Sequence, residues 1–233
     1  MTDCYKNIGG EMQRVPYTTF SSNIFGDIRA EDVYQQAAMD SMVNNQITLI
    51  GGPAGSGKTF LALGYLFSLL EKNKIDRIIV FCNPVAARNA AKLGYYPGTV
   101  IEKLMSTQVG KVLSSKIGDI YEVERLISEG KLVLIPAADA RGYEVPPNSG
   151  VYILESQNLT VDLMRMLLQR ISEDSKVIID GDRMEQVDLS VYGGTNNGMK
   201  EVSRVFSGED IFGQVDLKVI YRSKIASIAD KMR

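Results

Sequence analysis

At 233 residues, with 45% hydrophobic and 23% charged, the chain has the length and composition of a globular protein with one substantial core, and one α/β domain is expected. No segment approaches the roughly 20 uninterrupted apolar residues of a membrane span, and Met1-Thr2-Asp3-Cys4 does not begin a signal peptide, so a cytoplasmic protein with no membrane partner is expected. A net charge of -2 excludes a broadly basic nucleic-acid binder, while zero histidines and only two cysteines, Cys4 and Cys82, exclude a disulfide framework, a structural zinc site and a histidine base.

Residues 1–24 are polar and aperiodic, with Gly9-Gly10 and Pro16, and read as an arm or loop-rich lead-in to a domain over 25–233. The pattern is helical from Glu31 to Val43, and Ile47 to Ile50 is a short apolar run suited to a buried strand. After an eight-residue glycine-rich stretch, Phe60 to Leu70 is long and apolar enough for a buried helix. Further apolar runs follow at Arg77 to Cys82, Leu132 to Ile135, Val151 to Leu154, Val177 to Ile179 and Val215 to Ile220. A helical segment over Thr160 to Ile171 carries Met164 and Met166, read as core packing. Strands alternating with helices predict a mostly parallel sheet with helices on both faces.

The glycine-rich stretch, Gly52-Pro53-Ala54-Gly55-Ser56-Gly57-Lys58-Thr59, fits G-x-x-x-x-G-K-[ST] at every fixed position and stands between a strand and a helix, as a phosphate-binding loop requires. Glycines 52, 55 and 57 let the backbone turn its N–H groups inward, and the helix opening near Lys58 adds the positive end of its dipole. Lys58 is expected to reach the β- and γ-phosphates of ATP, and Thr59 to place its hydroxyl on Mg2+.

A P-loop protein also needs an acid at a neighbouring strand end. Val151-Tyr152-Ile153-Leu154-Glu155 supplies Glu155, to hold the metal's shell and orient the attacking water; a solvated strand-end acid is the alternative. Val177-Ile178-Ile179-Asp180-Gly181-Asp182 is a second strand running into acids, with Gln186 four residues on, and fits a γ-phosphate sensor or a tight turn with its acids in water. Arg222, after the last apolar run, is placed to stabilise charge on the transferring phosphoryl group.

Together with Ala91-Lys92-Leu93-Gly94-Tyr95-Tyr96-Pro97-Gly98, Arg141-Gly142, Glu155-Ser156-Gln157-Asn158 and Gly181-Asp182, the loop resembles the ATPase domain of PhoH-like proteins, from about Phe25 to the C-terminus. Short versions of this kind are similar to those encoded by bacteriophages, which would place the protein in a host cytoplasm. The resemblance implies a RecA-like P-loop NTPase fold related to superfamily-1 helicases. It makes Gln35, rather than Gln36, the adenine-reading glutamine, and assigns nucleotide binding to Gln35, the loop 52–59 and the adjoining Phe60. By the same resemblance Lys58, Glu155, Asp182, Gln186 and Arg222 are catalytic, and Thr59 and Glu155 hold the metal. Asn196-Asn197-Gly198-Met199 matches a family stretch with no assignable chemistry.

Three departures stand out. The family ends its second strand motif with an Asp-Glu pair, whereas here Leu154 precedes Glu155, by substitution or a one-residue deletion, so Glu155 combines two roles or Asp180 or Asp182 assists. Asn83-Pro84 stands where an arginine commonly precedes the proline, and Asp182 to Gln186 is one residue longer than the helicase spacing.

The leading expectation is Mg-dependent ATP binding and hydrolysis, coupled to RNA or single-stranded nucleic acid by a helicase-like homo-oligomer, a hexameric ring among its forms. The alternative is an ATP-binding regulatory or RNA-binding module with little or no hydrolysis, which Leu154 and the acidic balance favour. Arg88, Lys92 and Arg141 form either a local basic strip for RNA or ordinary solvated charge.

Overall fold

A computed structural model describes residues 4–8, 11–15, 17–82, 108–117, 120–182 and 195–221. Where a loop-rich lead-in is expected, the chain carries strands: β1 (Cys4–Ile8) pairs antiparallel with β2 (Glu11–Val15), and β3 (Phe20–Ser22) with β4 (Gly26–Ile28). These strands are polar or only three residues long, so no apolar run announces them; the signal is Gly9-Gly10 between two extended stretches, a tight-hairpin dipeptide.

Helix α1 (Val33–Asn44) starts at Asp32, whose side chain accepts from the Tyr34 and Gln35 amides. Then come β5 (Ile47–Gly51), α2 (Lys58–Glu71), β6 (Arg77–Cys82), α3 (Gln108–Ile117), α4 (Ile120–Ser128), β7 (Leu132–Pro136), β8 (Ser149–Ile153), α5 (Val161–Leu168), β9 (Lys176–Asp180), α6 (Gly198–Phe206) and β10 (Phe212–Asp216). Strands β5 to β10 form a six-stranded sheet in the order β10-β5-β9-β8-β6-β7, with every neighbouring pair parallel. The expected parallel α/β architecture is what the chain adopts.

A sheet covered on both faces turns its strands into continuous apolar runs, and β5 and β8 are buried at all five positions. Alternation sorts the side chains. Ile50, Ile78, Val80, Tyr152, Leu154 and Ile178 pack with Met39 and Met42 of α1 and with Leu61, Leu63, Leu66 and Phe67 of α2. On the opposite face Leu49, Ile79, Val151, Ile153, Val177 and Ile179 pack with Met164 and Leu167 of α5 and Met199 and Val202 of α6. Met164 is a core residue, as expected.

Two helices, α3 and α4, follow no pattern singled out in the sequence; Arg125 pairs with Glu122 and Glu129 along the exposed side of α4. The last apolar run divides differently from expectation. Its strand is Phe212–Asp216, and from Leu217 the chain leaves the sheet to run over the end of β5, the Leu217 amide donating to Gly51 O at 2.8 Å.

All six parallel strands end on one edge, the edge where ligands bind in open α/β sheets. Gly51, Ile153 and Asp180 are therefore brought to a common rim.

Phe20 is 6% exposed and its ring lies 4.7 Å from that of Tyr65 on α2, so β3 belongs to the core. Phe20→Ala is expected to cost about 3 kcal/mol in urea denaturation, against almost nothing if residues before 25 were a detachable arm.

Candidate functional site

Between β5 and α2 the backbone takes conformations that need glycine. Gly52 has φ 138°, and a Cβ there would lie 2.6 Å from Leu217 O. Gly57, the N-cap of α2, has φ 96°, and a Cβ would lie 2.8 Å from Gln35 Nε2. The Gly57 cap of α2 makes no side-chain hydrogen bond, and a helix start of this kind suits an anion.

Lys58 is 7% exposed. Its Nζ donates to Gly52 O at 2.6 Å, to Pro53 O at 3.1 Å and to Asp182 Oδ1 at 2.8 Å, so the ammonium is held inside the loop by two carbonyls and one carboxylate. Ser56 Oγ, also buried, has no hydrogen-bond partner among the described residues.

One residue along, Thr59 Oγ1 lies 3.5 Å from Asp180 Oδ2. Asp180 ends β9, is 1% exposed, and accepts from Tyr152 Oη at 2.5 Å and from the Glu155 amide at 3.0 Å. Burial holds its carboxyl above the usual aspartate range, although the Lys58 charge and the Tyr152 bond pull the other way. Burial likewise keeps the Tyr152 hydroxyl protonated, well above its ordinary value.

Glu155 sits just past β8 in the left-handed region, φ 54°, a costly conformation for a side chain of this size. Gln157 Nε2 donates to Glu155 Oε2 at 2.6 Å, while Gln157 Oε1 accepts from the Asp182 amide at 3.1 Å. One amide side chain thus ties the two strand ends together. Burial first, and then the charge of Asp180, push Glu155 up to about 7.

Gln35 reaches the loop and Gln36 does not: Gln35 Nε2 donates to Ser56 O at 3.0 Å and its Oε1 accepts from the Glu31 amide, whereas Gln36 Nε2 donates to Thr18 O. Phe60 turns toward the core, 5.7 Å from the Phe25 ring. Arg141 is exposed on the short 3-10 segment Ala137–Gly142. Gln186, Arg222, Arg88, Lys92 and the 91–98 stretch lie outside the described residues. Residue Tyr221, before Arg222, donates its amide to Gly55 O at 3.0 Å and its hydroxyl to Asp32.

Sequence reasoning missed Tyr152, Gln157 and Lys218, whose ammonium stands 5.1 Å from the Tyr34 ring centre. Alternation along β8 was the available signal for Tyr152, since it puts that residue on the face of α2. Asn197, which had no assignable chemistry, is structural: it caps α6 by accepting from the Lys200 amide at 3.0 Å and donates to Gln157 O at 3.1 Å.

Amides, an ammonium, a hydroxyl and carboxylates are the donor set that a nucleotide polyphosphate and its magnesium need. Among the described residues no group of three or more acids, histidines or cysteines forms a metal cage. Magnesium that arrives with phosphates is bound through one or two carboxylates plus phosphate oxygens, so Thr59 with its neighbouring acids fits it. Among the described residues no helix is long and apolar enough to cross a membrane.

Comparison with known proteins shows the family to which the chain belongs. The protein PhoH2 of Thermobispora bispora is 30% identical over 218 residues, covering 90% of this chain and 48% of its own. A PhoH-like protein of Mycobacterium leprae is 31% identical over 205 residues, covering 86% and 54%. The chain thus spans about half the length of these bacterial relatives. Among solved structures, the Pif1 helicase of Candida albicans aligns with a TM-score of 0.40 at 15% identity, covering 84% of this chain and 42% of its own. The profile of the family described as PhoH-like protein matches residues 27–232, and the chain belongs to that family.

Proposed function

We propose that the protein is a Mg-dependent ATPase whose reaction takes place at the carboxyl edge of the sheet. The carrying observation is convergence: Lys58 and Thr59 from the start of α2 meet Asp180 and Asp182 from the end of β9 within hydrogen-bonding distance. In this reading the γ-phosphate takes Lys58 from Asp182, which leaves Asp182 to register that the site is filled. Thr59 and Glu155 hold the metal, and Glu155 orients the attacking water. Gln35 fixes the loop from behind and reads the adenine; Gln186 and Arg222 complete the catalytic set.

A second reading, nucleotide binding with little turnover, has its own support. Leu154, an apolar residue 4% exposed, precedes Glu155, and Gln157 holds the Glu155 carboxylate. Calorimetry with MgATP and steady-state phosphate release separate the two. Lys58→Ala is expected to abolish binding and turnover, and Glu155→Gln to keep binding while slowing hydrolysis by about 10²-fold or more. Binding without release in the native protein supports the regulatory module; no heat of association sinks both.

We further propose a homo-oligomer in which a neighbouring copy covers the open rim, where Val219 and Tyr221 are exposed, with single-stranded RNA as the effector. Sedimentation equilibrium is expected to show assemblies in the presence of ATP, and single-stranded RNA to raise turnover. Monomers under all conditions would refute the assembly.

Stability should carry the mark of the buried acid. Glu155 titrates near 7 in the fold against its usual 4.5, so between those values the native state binds more protons than the unfolded chain and stability falls as pH rises. Glu155→Gln removes that charge. Thermal melts without nucleotide are expected to show the variant more stable than the native protein at pH 8, with the gain disappearing by pH 4.

A further inference from the structure

In P-loop NTPases magnesium is held by the loop Ser or Thr together with an aspartate at a neighbouring strand end. On β8 the place before Glu155 is taken by Leu154, which cannot serve. The register of the sheet shows what stands beside it. Ile153 pairs with Ile179, so the residues that follow, Leu154 and Asp180, reach the same level on adjacent strands. They also share a face, since Tyr152, Leu154 and Ile178 all pack against the core beneath α2. β9 lies between β8 and β5, so an acid on β9 is one strand nearer the loop.

Resting on the reading of the site as a MgATP site, we infer that Asp180 joins Thr59 and Glu155 in holding the magnesium shell, in the place that Leu154 cannot fill, and that Tyr152 is its positioning residue. A purely structural role leaves the choice of an acid over an amide at position 180 unexplained. Tyr152, Leu154 and Ile178 share that face with it, and a carboxyl 1% exposed is ionised at little cost only where a cation balances it. Lys58 is the cation at hand, but it is the residue committed to phosphate once nucleotide binds. A divalent ion on Thr59 then supplies the missing positive charge. Tyr152 fixes Oδ2 with its hydroxyl at 2.5 Å and the Glu155 amide fixes Oδ1 at 3.0 Å, leaving Oδ2 turned to the Thr59 hydroxyl. The same amide bond couples the proposed metal acid to the residue that would orient water.

The test is a titration of Mn2+, which electron paramagnetic resonance detects, into protein saturated with ADP. Asp180→Asn, equal in volume, is expected to weaken Mn2+ by about 10- to 100-fold, with ADP affinity measured in EDTA unchanged. The double variant Leu154→Asp/Asp180→Asn, which returns an acid to the same level one strand away, is expected to recover Mn2+ affinity. If Asp180→Asn loses its cooperative melt, Asp180→Ser, smaller and still able to accept from the Glu155 amide, is measured in its place. Unchanged Mn2+ affinity in a folded Asp180 variant that still binds ADP overturns this assignment alone. Native protein that binds no ADP, in EDTA or with Mn2+, overturns the nucleotide reading as well.

Discussion

A buried ammonium is tolerable only where its three donors are all used, and Lys58 uses them on Gly52 O, Pro53 O and Asp182. Two of those partners belong to the loop and one to the strand end beyond it, so the lysine joins three pieces of chain. Satisfying this one charge ties the loop and the start of α2 to the strand end at Asp182. A polyphosphate would meet the same requirement with oxygens of its own.

The sheet makes that arrangement rigid. Parallel pairing with an alternating division of side chains gives each strand two buried faces, so a slip in the register of β5, β8 or β9 would set every side chain against the packing of the wrong layer. Because the fold is held from both sides, its carboxyl edge can carry what a less constrained backbone would reject: Glu155 in a left-handed conformation and a carboxyl sealed beneath Tyr152.

Much of this was legible in the residues. The loop announced itself through fixed spacing between a strand and a helix, and Arg77–Cys82 begins and ends where its apolar run does. What local patterning could not show was which strand lies beside which. Asp180 looked like one of two acids at a turn, and only the β9–β5 pairing makes it the partner of Thr59. The β3 strand escaped notice because three residues carry no period, and Phe20 earns its place through contact with Tyr65, 45 positions away. Val215 to Ile220 read as one strand because apolar content does not record where hydrogen bonding stops; it stops at Asp216, where the Leu217 amide turns to Gly51 O.

That turn has a mechanical corollary. The amides of Leu217 and Tyr221 end on carbonyls of Gly51 and Gly55, one just before the glycine-rich stretch and one at its middle, so the 217–221 segment is buckled across the loop like a strap with two rivets. Any widening of the loop must stretch both rivets or carry the strap along, and Tyr221, riveted also to Asp32 at the start of α1, would pull on that helix at the same moment. Filling and emptying the cradle would then be felt at opposite ends of the sequence at once, with no messenger other than three hydrogen bonds.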